Sequence, residues 1–292
     1  MEIAICCPEQ AKHRQHARSV LWMIFSYLTT RYEVSVNQVE FAETLKWRFL
    51  PIAMFHHVSD RADWGSLRPY LVREATFLAF LNTVQQRGMR TVTFQQLFEE
   101  KRSHARNELI ITFDDCGKHL LEFVLPELEK RSMSAVFFVP TAHLGGTNDW
   151  DVSEGRAELE LMQARDLSDL HKRGMEIGGH SHHHIHLGRM NPDECADELQ
   201  KSQQELTRAV GKPAISMAYP FGSIPPAAKP LLSEAGFAVG CSIFSPSSHP
   251  WQLRRFIVHD GDSPKALSVK TTALYAGYRG IRDSFKVKTA FR

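Results

Sequence analysis

The stretch Leu109-Ile110-Ile111-Thr112-Phe113-Asp114-Asp115 carries an apolar, β-branched run straight into two adjacent carboxylates. A short continuous run of this kind suits a strand covered on both faces, as in a parallel α/β sheet. Two neighbouring acids at its end repel each other unless a cation or hydrogen bonds hold them. One of them alone would suffice to cap a following helix. Further along, Met175–Gly178 leads through Gly179 into His180-Ser181-His182-His183-His184, with five histidines between positions 180 and 186. An aspartate with two imidazoles at i and i+4 is a mixed oxygen and nitrogen set. It suits a divalent transition metal and leaves coordination positions open. The second carboxylate then stands where a general base is wanted. A lone histidine would read as a polar loop residue, and His182, His183 and His186 read as solvent-facing or supporting groups. The whole pattern points to metal-assisted hydrolysis.

Outward from these stretches, apolar runs alternate with helical ones. Candidate strands are Ile52–Phe55, Leu109–Phe113, Ala135–Val139, Met175–Gly178, Ile215–Tyr219, Ala238–Ile243 and Arg255–Val258. Asn191-Pro192 supplies an N-cap and a first-turn proline for a helix that runs to Val210 and stops at Gly211. Pro225 to Ala235 ends at Gly236 in the same way, and a helix near Leu120–Lys130 kinks or begins at Pro126. Strands separated by helices predict a parallel α/β structure, closed or nearly closed as a barrel. Chemistry in such barrels sits at the carboxyl ends of the strands, where Asp114-Asp115, His180, Pro220 and His56-His57 all fall. Residues 1–50 read as a small βαβ-like appendage, with strands near Glu2–Cys6 and Tyr32–Val36, an amphipathic helix between them, and a boundary near Leu50-Pro51.

Composition narrows the class. Over 292 residues, 43% hydrophobic and 23% charged content are those of an ordinary globular protein. A net charge of +2 with no dense basic run makes no electrostatic case for nucleic acid. The five cysteines are odd in number and lack CxxC spacing, so they read as reduced thiols in a cytoplasmic protein. The apolar run Val20–Phe25 behind Lys12–Arg18 is short, starts late and meets no small-x-small site, which favours a helix over a secretory signal. Nothing approaches the ~20 apolar residues of a membrane span.

Taken in order, Thr112-Phe113-Asp114-Asp115, His180-Ser181-x-x-His184 and Ala218-Tyr219-Pro220-Phe221-Gly222 resemble the successive motifs of the polysaccharide deacetylases, carbohydrate esterase family 4 with its NodB-homology domain. Met54-Phe55-His56-His57-Val58, Ser134–Gly146, Gly236-Phe237 and Leu253-Arg254-Arg255-Phe256 extend the resemblance over roughly residues 51–285. The resemblance implies a distorted (β/α)7-type barrel over residues 51–292 that hydrolyses N-acetyl groups, commonly on N-acetylhexosamine units. It implies Asp114 as catalytic base and Asp115, His180 and His184 as ligands of one divalent ion. Zinc comes first from ligand type, with cobalt, nickel or manganese next. It further implies the Phe221 N–H as an oxyanion donor and His259 as catalytic acid. Tyr219, Pro220 and His56 are expected against the carbohydrate substrate.

Five features depart from the family pattern, one of them the last motif, which Ile257-Val258-His259 matches only loosely. Cys116 replaces its glycine, Ile185 replaces its proline, the arginine before the Tyr-Pro segment is missing, and an Asp-x-x-Asp-Trp-like segment is not recognisable. The expected activity is therefore metal-dependent deacetylation of a glycan or glycan precursor. Its rivals are hydrolysis of a small cyclic imide or ureide and a catalytically silent carbohydrate-binding member.

Overall fold

The computed structural model describes residues 38–68, 70–245 and 247–290, with side chains as far as Asp283. Its centre is a parallel sheet of β1 (Ile52–Phe55), β2 (Glu108–Phe113), β3 (Val136–Val139), β4 (Glu176–Gly179), β5 (Ser216–Ala218), β6 (Val239–Ser242), β7 (Leu253–Arg254) and β8 (Phe256–Ile257). The spatial order is β7-β6-β5-β4-β3-β2-β1-β8. Since β7 and β8 are two halves of one segment interrupted at Arg255, the ends of that order meet. Leu253 pairs with Cys241 of β6, and Phe256 pairs with Ala53 of β1. Seven chain segments thus form the ring of a distorted barrel. The predicted strand Arg255–Val258 is consequently broken at its first residue, because the chain steps there from one neighbour to the other.

Strand alternation divides the apolar residues between two layers. Ile52, Ile110, Val136, Phe138, Ala218, Val239, Cys241 and Leu253 share one buried cluster, the barrel interior. Ala53, Phe55, Leu109, Ile111, Phe113, Phe137 and Val139 face outward and pack with helical residues such as Phe77, Phe80 and Leu199. Burying each such side chain contributes about 1.5–3 kcal/mol, which is why four-residue strands suffice. Val39, Ala42, Trp47 and Leu50 join the interior cluster, so residues 38–50 pack against the amino-terminal end of the barrel. The strands expected near Glu2–Cys6 and Tyr32–Val36, and the helix between them, lie outside the described residues.

The helices follow their end signals. In α1 (Pro192–Val210) the Asn191 side chain accepts from the Glu194 N–H, and Gly211 takes the left-handed φ of 86° that ends the helix. α2 (Ala228–Ala235) ends at Gly236 as expected, but starts after the Pro225-Pro226 turn rather than at it. The helix with Pro126 spans Val124–Glu129, so the proline lies in its first turn, where its missing N–H costs no bond. No helix among the described residues is long and apolar enough to cross a membrane.

Candidate active site

All four expected acid and histidine positions meet at the carboxyl-terminal mouth of the barrel. Asp114 and Asp115 come directly after β2, and His180 directly after β4. The chain turns sharply at both places: Asp115, Cys116, Ser181 and His184 have φ of 66°, 54°, 56° and 55°. Each non-glycine residue in this left-handed region costs roughly 1–2 kcal/mol, so four of them in one site mark backbone held by its surroundings. Gly178 on β4 leaves room that a side chain would close, since a Cβ there would lie 2.7 Å from the Phe138 ring and 2.8 Å from the Ser216 carbonyl.

The Asp115, His180 and His184 donor atoms lie within 4.8 Å of one another and are buried. Both Nε2 atoms face the same carboxylate oxygen, Asp115 Oδ1, at 3.4 Å from His180 and 3.2 Å from His184. His180 Nδ1 lies 2.8 Å from the Ala218 carbonyl, so it carries the proton and leaves the Nε2 lone pair free. Asp115 Oδ1 is buried without a hydrogen-bond partner. Three lone-pair donors aimed at one point fit a divalent cation. A second group, His57, Asp115 and Asp151, shares the aspartate. There, however, Asp151 is already bound by Arg156 at 2.5 Å and Asn148 at 3.3 Å. The two-histidine set is therefore the better cation site.

Asp114 is gripped by a residue far away in sequence. Arg255, fully buried at the break between β7 and β8, donates to both Asp114 oxygens, at 2.6 and 2.7 Å. It also donates to Thr112 Oγ1 at 3.1 Å. Burial would raise the Asp114 carboxyl, but Arg255, His180 and His56 together hold it below the usual carboxylate range. His56 Nε2 stands 3.9 Å from Asp114 Oδ2. The site thus has its arginine from another strand, although the one before the Tyr-Pro segment is missing. The sequence signal of Arg255 is a charge in an otherwise apolar strand run.

Aromatic side chains wall the site. Trp150 stacks on the His184 ring, with centroids 4.1 Å apart. Phe221 meets His184 edge-on at 4.8 Å and stacks on His186 at 4.0 Å, while remaining 45% exposed at the rim. Phe221 also has a left-handed backbone, with φ 58° and ψ 11°. Tyr70 packs on His56, and Arg156 lies over the Tyr70 ring. His56, Tyr70, Trp150, Asp151, Arg156 and Phe221 line one cavity with the acid and histidine set. In the sequence Trp150-Asp151 reads as loop packing and Tyr70 carries no signal at all; the structure puts the former in the short helix Asp149–Val152, and only the fold brings these residues to the mouth.

The remaining expected residues are placed differently. Tyr219 lines the cavity, but its hydroxyl donates to the Trp251 carbonyl at 2.7 Å. Pro220 is buried and is not among the residues lining that cavity. His259 lines a neighbouring small cavity that shares His56, Tyr70 and Ile243 with the first. Burial, then Lys270, lowers the His259 imidazole below its ordinary value. Cys116 Sγ is not among the donor atoms gathered at the cation site and donates to the Phe138 carbonyl at 3.2 Å. Burial, with Asp115 and Asp114 beside it, pushes its thiol well above the usual range.

Residues 101–240 match the family model described as polysaccharide deacetylase. The poly-β-1,6-N-acetyl-D-glucosamine N-deacetylase of Staphylococcus aureus (strain MRSA252) is 22% identical over 209 residues, spanning 66% of this chain and 70% of its own length. Its counterpart in Staphylococcus epidermidis is 21% identical over 207 residues, spanning 66% and 69%. Among solved structures, the Streptococcus pyogenes deacetylase PplD in complex with acetate aligns with a TM-score of 0.64 at 19% identity, covering 75% of this chain and 96% of that one. IcaB from Ammonifex degensii aligns at 0.63 with 19% identity, covering 78% and 97%. At such identities the structural likeness establishes the barrel fold.

Proposed function

The chain belongs to the polysaccharide deacetylase family, and we propose that it hydrolyses the N-acetyl amide of N-acetylglucosamine units in a β-1,6-linked glycan, with one divalent ion held by Asp115, His180 and His184. The observation that carries this reading is the meeting of that donor set with a separately anchored carboxylate, Asp114, in one aromatic-walled cavity. The staphylococcal relatives' names supply the substrate class. Zinc is the first choice of ion, with cobalt, nickel and manganese next.

When bound, the ion supplies Lewis acidity toward an amide carbonyl and a water molecule. Asp114 takes the water's proton as the oxygen attacks the acetyl carbon. Arg255 keeps that carboxylate ionised and aimed into the cavity. The Phe221 N–H is the donor assigned to the developing oxyanion, an interaction worth about 3–4 kcal/mol. The C–N bond then breaks, the nitrogen gains a proton, and acetate and a free amine remain. Trp150 and Phe221 offer flat apolar surfaces to the sugar and the acetyl methyl.

The proton for the leaving nitrogen needs a donor with a pKa near neutrality. His56 stands in the same cavity as Asp114, whereas His259 faces the adjoining one. The geometry favours His56, and His259 is the alternative. His56→Ala is expected to lose most turnover, with metal content unchanged. If His259→Ala does this and His56→Ala does not, the roles are exchanged.

Acetate release from N-acetylglucosamine oligomers, measured on metal-restored enzyme beside the Asp115→Ala and His184→Ala variants, tests the reading. Both variants are expected to lose metal and acetate release together. Activity restricted to cyclic imides or ureides would contradict the substrate class.

A further inference from the structure

We propose that Glu198, on α1, is the positioning residue of the histidine loop. Its carboxylate clamps the backbone between the two histidine ligands, so that their Nε2 atoms meet at Asp115. This inference rests on the metal reading above. Glu198 is 5% exposed, and the ion-pair contact it makes is with His183 of the loop rather than with an arginine or lysine. Its charge goes to the loop instead. Oε2 accepts the backbone N–H of His182 at 3.0 Å and of His183 at 2.9 Å, while Oε1 lies 2.5 Å from His183 Nδ1. The opposite side of the loop is held too. The Ala142 N–H donates to the His182 carbonyl at 2.8 Å, and Thr141 Oγ1 lies 2.9 Å from His182 Nδ1.

The clamped pair lies between Ser181 and His184, whose φ angles of 56° and 55° are both left-handed. Two such residues in one five-residue turn, neither a glycine, relax toward ordinary backbone angles unless something holds the amides between them. A carboxylate accepting two adjacent N–H groups does that, and charge makes both bonds stronger than a neutral acceptor could. His180 has its own anchor through Nδ1 at the Ala218 carbonyl. By contrast, His184 Nδ1 is buried without a partner. Its ring is placed by Trp150, by Phe221 and by the backbone that Glu198 fixes. Removing the carboxylate is therefore expected to act on the His184 ligand in particular. The sequence signal is an acid on the buried face of a helix, at a position its heptad-like neighbours fill with Cys195, Leu199 and Ser202.

The test is titration of the full, metal-free chain with Co2+ alone, read by the visible absorption of the ligated ion. Glu198→Ala is expected to bind Co2+ about 10–100-fold more weakly, the usual cost of losing a group that orients a ligand, with an altered spectrum. Glu198→Gln keeps an acceptor for the two amides but loses the charge, and is expected to fall between, about threefold to tenfold weaker than wild type. A purely structural role would lower the unfolding temperature of the metal-free chain but leave the affinity and spectrum of the folded chain unchanged. Wild-type affinity and spectrum in Glu198→Ala, or in Glu198→Gln should the alanine variant not fold, overturns the positioning role alone. A wild-type chain that takes up no Co2+ overturns the metal reading and this inference with it.

Discussion

Asp114→Asn is expected to keep metal at wild-type stoichiometry and to lose a factor of about 10²–10⁴ in turnover, the usual worth of a general base. The expectation comes from the division of labour between two adjacent carboxylates. Asp115 turns its Oδ1 toward both histidine Nε2 atoms, whereas Asp114 gives both oxygens to Arg255. An asparagine at 114 retains the shape and one acceptor for Arg255 but cannot take a proton from water. Metal analysis and turnover on the same preparation check it. Loss of metal from Asp114→Asn, with retention in Asp115→Asn, would reverse the assignment.

The other large effect is expected from Arg255→Met, which removes the partner and leaves Asp114 buried. Breaking a buried ion pair from one side costs about 3–5 kcal/mol, because the remaining charge is uncompensated. The sign of the pH dependence is set by the depressed Asp114 carboxyl in the wild type. There the pair's stabilisation is present above the unfolded carboxyl value of about 3.9 and is lost as pH falls through the lower folded value. In the variant, burial is opposed by His180 and His56 alone and the folded value rises. Its deficit relative to wild type is then full at neutral pH and shrinks as pH falls toward about 4, as Asp114 takes up its proton first in the folded variant and then in the unfolded chain. The acid limb of its pH–rate profile is expected to move upward. Denaturant melts of both proteins between pH 4 and 8 check the stability difference. A deficit independent of pH would mean that Arg255 acts on packing rather than on the Asp114 charge.

The barrel is legible in the sequence because each ring strand is a short apolar run with turn signals at its end. The acids and histidines fall at one end of those runs, although they play no part in defining them. Features that depend on closure of the ring are not legible in the same way. Arg255 and Asp114 are separated by 141 residues and meet only because one segment pairs with β6 and then with β1. His259 follows the second half of that segment and lines the small cavity adjoining the one with Asp114. Trp150 and Asp151, in the short helix Asp149–Val152, and Arg156 and Tyr70 in connecting segments have local patterns that say nothing about where they fold. Cys116 is ambiguous between ligand and bystander until its backbone angle and its Phe138 contact are known. Glu198 needs the helix and the histidine loop in contact before its carboxylate has a purpose.

The central claim is that the Asp115, His180 and His184 set, with Asp114 beside it, deacetylates N-acetylglucosamine units in a metal-dependent way. It is tested most directly by measuring acetate and free amine together on β-1,6-linked N-acetylglucosamine oligomers, with wild-type enzyme first stripped by a chelator and then restored with Zn2+ or Co2+. The expected result is equimolar acetate and amine after restoration and neither product from the stripped enzyme. Equal product formation in both preparations, or tight oligomer binding with no product under any added ion, would contradict the account.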